Sequence, residues 1–124
     1  MEMKSESAGN GGRDTAPPAT VLDLLVTRTF AVDVDALRSR KRGSARAAFA
    51  RQVAIYLSCT RLNLTLTETG HLFGRDRTTV AHACRVIEGL RDDPVLDATV
   101  AMLERALGVR PHLRARHRRS SAAR

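Results

Sequence analysis

Five consecutive side chains, Arg75, Asp76, Arg77, Thr78 and Thr79, carry the densest polar chemistry in this chain. Each can hydrogen-bond a base edge or a phosphate oxygen. A second cluster, Arg38-Ser39-Arg40-Lys41-Arg42-Gly43, gathers cations in a stretch with no apolar period. Such a run is a solvated loop or one that tracks a phosphate backbone. Nothing comparable supports catalysis. A nucleophile needs a positioned base and an orienting third group, and the chain offers no such set. His71 and His82 stand at no spacing to Cys59 or Cys84 that suggests a zinc site, and no GxxxxGK[ST] phosphate cradle is present. The residues predict a binding protein with no catalytic residue, no metal and no cofactor.

The elements that must position these residues all read as helices. Leu22, Leu25, Val26 and Phe30 form one helical face. A short second helix after Asp33 is expected to hold Val34 and Leu37. A third runs from about Ala45 to Thr60, with Phe49, Val53, Tyr56 and Leu57 on one face. Thr65 with Glu68 fits a capping box, so a fourth helix begins at Leu66, and Gly74 ends it after Phe73. A fifth starts near the N-cap Asp76 and turns Val80, Cys84 and Ile87 inward. Pro94 suits a first turn, and Leu96, Val100, Leu103 and Leu107 mark a sixth helix. No segment alternates with period two, so the fold class is all-α. A short helix, a tight Gly turn and a longer helix with a polar start make a helix-turn-helix, whose second helix can enter a major groove while its apolar stripe faces the core.

Length and charge frame this reading. The chain has 124 residues, a net charge of +8, 43% hydrophobic and 3% aromatic residues, and no Trp. That supports one modest core of Ala, Leu and Val. Residues 1–18 are Ser, Gly, Pro and charge, and are expected to be disordered. Residues 109–124 hold six Arg and no acid, and are expected to form a flexible basic tail. The folded domain is expected over 19–108. Two cysteines cannot build a disulfide scaffold, no signal peptide is apparent, and no apolar run could span a bilayer. A cytoplasmic, nucleoid-associated protein without membrane contact is the expectation. Cys59 and Cys84 are expected to be small core residues.

The sequence GRDRTTVAHAC over residues 74–84 resembles the signature of the C-terminal DNA-binding domain (domain IV) of DnaA, the bacterial chromosomal replication initiator. RQVAIYL over residues 51–57 is similar to a second family motif, and the basic loop before it is a third match in the same order. The resemblance runs from about Thr20 to Leu107. It implies a Trp-repressor-like helical bundle that binds double-stranded DNA with sequence preference, in or on replication initiation. A transcriptional regulator or a protein-interaction module on the same bundle is the alternative. It further implies that Arg40, Lys41 and Arg42 follow the backbone or enter the minor groove. Arg51, Gln52 and Thr79 would contact phosphates, and Leu66 and Thr67 would bring a helix start to one. Arg75 joins this backbone group, while Asp76, Arg77 and Thr78 match the base-reading positions. The chain departs from the family in three places. Gly74 stands alone where the family has two glycines, Arg77 replaces a His, and Gly43 falls opposite the minor-groove Arg. The family's ATPase region has no counterpart in these residues, so no nucleotide partner is expected.

Overall fold

The computed structural model describes residues 18–41 and 43–108. The segment expected to be disordered (apart from Pro18), Arg42 and the expected basic tail lie outside the described residues. Among the described residues six α-helices run in the order α1 (Pro18–Phe30), α2 (Val34–Arg38), α3 (Ala45–Thr60), α4 (Leu66–Phe73), α5 (Arg77–Leu90) and α6 (Pro94–Leu107). No strand occurs among the described residues.

The bundle is organised around α3. Val53, Ala54, Ile55, Tyr56, Leu57, Ser58 and Cys59 are consecutive and all buried. The sequence points to one apolar face here, but the helix is covered on all sides in its second half. A helix apolar all round belongs in the middle of a core, and α1, α2, α4 and α5 all pack against it. The hydroxyl of Ser58, fully buried, donates to the Ala54 carbonyl at 2.8 Å, so its burial leaves no unpaired polar atom. Leu22 and Val26 of α1, Leu37 of α2, Phe73 of α4, Val80, Ala83 and Ile87 of α5, and Val100 and Leu103 of α6 complete the core.

Two expectations shift. Val34 is 44% exposed while Leu37 is fully buried; a five-residue helix has a single turn and presents one residue squarely to the core. On α5 the buried positions are Val80, Ala83 and Ile87, with Cys84 half-buried at the edge of that stripe.

The helix ends follow from local chemistry. Ser44 caps α3 by accepting the Ala47 amide at 3.0 Å. The Thr65–Glu68 capping box on α4 is closed in both directions, at 3.0 Å and 2.8 Å. Gly74 ends α4 at φ 66°, ψ 37°, the left-handed conformation that favours glycine. Asp76 and Asp93 cap α5 and α6, and Pro94 occupies the first turn of α6. At the far end of the bundle Arg91 ties α6 down. Its guanidinium donates to Asp97 at 2.6 Å, to Glu104 at 3.0 Å and to the Tyr56 hydroxyl at 3.2 Å.

Candidate nucleic-acid interface

The turn between α4 and α5 consists of Gly74, Arg75 and the N-cap Asp76. Its tightness depends on Gly70, a glycine inside α4 whose hypothetical Cβ would overlap the Arg75 carbonyl oxygen. That close approach lets α5 leave at the angle at which Val80, Ala83 and Ile87 meet α3. A glycine within a helix is a sequence signal for such an approach, and it is the one that motif reading passed over.

The start of α5 is presented outward. Asp76, Arg77, Thr78 and Thr79 are all exposed, while Val80 behind them is fully buried. Oδ1 of Asp76 accepts the Thr79 amide at 2.8 Å. This bond to Thr79, with help from the Thr78 amide, holds the Asp76 carboxyl below the usual carboxylate range. Asp76 therefore has a capping duty of its own, independent of any base contact. Arg77 has no hydrogen bond or ion pair to other described residues, so its donor fork is unspent. The exposed ridge continues along α5 through His82 and Arg85, four and seven residues beyond Thr78. Sequence reasoning stopped at Thr79, although helical periodicity alone extends the face to both.

Beside this turn sits the cationic loop. Lys41 and Arg40 are exposed. The Cγ, Cδ and Nε atoms of Arg40 lie 3.4–3.5 Å from where a Gly74 Cβ would stand. Loop and turn, distant in sequence, thus form one surface. On α4 the capping box consumes the amides of Thr65 and Glu68. The amides of Leu66 and Thr67 are left as first-turn donors without an intrahelical partner. Thr67 is exposed and Leu66 half-buried against the core. Gln52 is half-buried on α3, in a shallow groove with Gly43, Ser44, Ala45, Ala48 and Phe49.

Two expected backbone contacts are turned inward. Arg51 is only 6% exposed. Its Nε donates to the Leu37 carbonyl and its Nη2 to the Ala36 carbonyl, each at 2.9 Å. These carbonyls lie at the end of the short α2, where the Ser39 amide reaches only the Ala36 carbonyl and at a long 3.4 Å, so the guanidinium is spent as their cap. Burial, and then the positive charge of Arg75, lower the Arg51 pKa from its ordinary value. Arg75 is half-buried and donates through Nη1 to the Phe73 carbonyl at 2.9 Å and through Nη2 to the Ser39 carbonyl at 3.1 Å. Arg38 behaves alike. It grips Asp23 at 2.6 and 2.7 Å, donates to the Leu72 carbonyl at 2.9 Å, and lies 4.5 Å over the Phe73 ring. The cationic clusters of the sequence therefore divide into an inner, structural set and an outer, unpaired one.

The two cysteines pack in or against the core. Cys59 is buried with its sulfur 3.4 Å from the Thr69 hydroxyl, and its partner sulfur and burial push the Cys84 thiol up. Among the described residues no group of His, Cys, Asp and Glu could hold a metal ion. No described helix is long and apolar enough to cross a membrane.

Residues 20–87 match the family model described as the bacterial dnaA protein helix-turn-helix. The chain is 44% identical over 88 residues to a chromosomal replication initiator protein DnaA of Rhodopseudomonas palustris (strain BisB18). It is 32% identical over 83 residues to the DnaA protein of Thermoanaerobacter sp. (strain X514). These alignments cover 69% and 66% of this chain but 18% of each relative, so the chain spans less than a fifth of the length of the proteins it matches. Through the helix-turn-helix formed by α4 and α5, the chain belongs to the bacterial DnaA helix-turn-helix family.

Proposed function

We propose that this protein binds double-stranded DNA with sequence preference, placing α5 in the major groove and the Arg40–Lys41 loop on the adjacent backbone or minor groove. The observation that carries the reading is the outward, unspent start of α5, Arg77-Thr78-Thr79, on a helix whose opposite face is buried. Arg77 and Thr78, with His82 and Arg85 further along the ridge, face base edges, and Asp76 reaches them from the cap. Thr79, Gln52 and the first-turn amides of α4 at Leu66 and Thr67 hold phosphates. Arg42, in the same cationic run, joins Arg40 and Lys41 in this role. The names of the relatives, chromosomal replication initiator proteins, favour a role in or on replication initiation over a separate transcriptional one. Among the described residues this surface offers recognition donors, which supports a binding role.

Arg77 gives the reading its sharpest content. An arginine at the start of a recognition helix matches guanine O6 and N7 with two parallel donors, worth about 1–3 kcal/mol of discrimination. Histidine, which the family signature carries there, is shorter and has no such fork. The protein therefore prefers G under Arg77.

Salt dependence tests the mode of binding. With Arg51 and Arg75 directed inward, the three cations assigned to the backbone, Arg40, Lys41 and Arg42, give a slope of log K against log salt of about −2.7. Fluorescence anisotropy across a salt series measures it. A slope near zero would contradict binding through the phosphate backbone.

A further inference from the structure

Where the 39–41 loop meets the α4–α5 turn, Arg38, Arg40, Arg51 and Arg75 crowd together. Three of these guanidiniums donate to carbonyls of the chain itself. We infer that Arg75 is a positioning residue: it clasps the Ser39–Lys41 loop to the turn of the helix-turn-helix, so that loop and recognition helix meet DNA as one rigid surface. The inference rests on the DNA-binding reading for its consequence, but the clasp itself is a property of the free protein.

Both ends of the clasp are anchored. At the turn, the Arg75 amide donates to the Gly70 carbonyl at 2.9 Å, and its own carbonyl lies against Gly70 closely enough to exclude a Cβ. The backbone that carries the side chain is thus fixed before the side chain is considered. At the loop, the Ser39 carbonyl accepts from Arg75 while the Ser39 hydroxyl accepts the Lys41 amide at 3.0 Å. Ser39 therefore relays the position of Arg75 to Lys41. The start of the loop is held independently, by Arg51 on the Ala36 and Leu37 carbonyls and by Arg38 on Leu72.

The chemistry requires arginine. Nη1 and Nη2 lie in one plane and bridge the Phe73 and Ser39 carbonyls at once. A lysine ammonium is a point donor on a flexible stem and cannot span both with fixed geometry. Holding Arg75 near Arg51 costs like-charge repulsion. A guanidinium meant for phosphate would instead face outward, as Arg77 does. Without the clasp, the loop would have to be ordered at the moment of binding, and that entropy would weaken its contribution.

The test pairs a measurement on free protein with a binding cycle. Heteronuclear relaxation of the 15N-labelled full chain reads loop rigidity without DNA. Both Arg75→Ala and Arg75→Lys should lower the NOE at residues 39–41, while amides of α3 and α5 stay unchanged. Unchanged values at 39–41 would overturn the clasp. Anisotropy with a labelled mixed-sequence duplex then compares Arg75→Ala in the wild-type loop and in an Arg40→Ala/Lys41→Ala background. We expect roughly tenfold weakening in the first and less than about twofold in the second, because the two changes act through one unit. Arg75→Lys should not rescue. Equal weakening in both backgrounds, a salt slope smaller by about 0.9 each time, and rescue by lysine would make Arg75 a phosphate contact and overturn the inference. If the wild-type chain shows no salt-dependent duplex binding, the functional reading fails while relaxation still decides the clasp.

Discussion

Ala31 follows α1 at φ 55°, the position where a helix most often places glycine. The Val32 amide reaches back to the Thr27 carbonyl at 3.0 Å, completing a Schellman ending around a residue whose Cβ is strained there. Ala31→Gly should stabilise the domain by about 0.5–1 kcal/mol, the relieved strain being partly offset by unfolded-state entropy. Thermal unfolding would register this as a rise of a few degrees. Asp76 gives a pH-dependent counterpart. Because its carboxyl is held below the ordinary value of 3.8 by the Thr79 and Thr78 amides, its charge favours the folded state. That contribution is complete above the ordinary value and is lost as pH falls through the depressed folded one. Asp76→Asn keeps a good cap without the titration. Melting temperatures of wild type and Asp76→Asn should therefore differ at neutral pH and converge on acidification. At this scale the sequence was most opaque for arginine. Arg38, Arg51 and Arg75 look like Arg77 in the sequence, yet each is held by at least one carbonyl 14 or more residues distant. No local pattern marks which guanidinium will find one.

Elements were far more legible, because caps and apolar periods are local. Thr65 with Glu68, Gly74, Asp76 and Pro94 each marked an α4, α5 or α6 boundary that the structure places at the same residue. What periodicity missed was nonlocal: the complete burial of the second half of α3, and the rim position of Val34 on the one-turn α2. The docking of α6 was equally hidden. It depends on Arg91, whose burial opposes its charge but whose hydrogen bonds to Glu104, Asp97 and Tyr56 raise its pKa overall. Glu104 is only 14% exposed, and its other cationic neighbour, Arg61, is at 3.8 Å. Removing Arg91 would leave Glu104 poorly paired. Arg91→Ala should cost about 2 kcal/mol in urea unfolding, in line with charge-assisted hydrogen bonds. It should loosen α6 against the rest of the bundle without altering the exposed start of α5.

At the scale of the whole molecule, the fold sorts the arginines around the helix-turn-helix into two layers. Inward arginines on backbone carbonyls shape the joint between loop and turn. Outward ones, with the polar start of α5, form the face proposed for DNA. The outward polar start of α5 was legible from the 74–84 motif. The sorting of its neighbours was not, since Arg51 and Arg75 turn inward while His82 and Arg85 lie exposed on the same ridge. Sequence preference through this face is the central claim, and selection from a random duplex library tests it most directly, run in parallel on wild type and Arg77→Ala. Wild type should enrich a defined motif containing one G that Arg77→Ala no longer selects, while the neighbouring preferences persist. No enrichment by wild type, or an unchanged motif from Arg77→Ala with affinity lowered equally for all sequences, would contradict it.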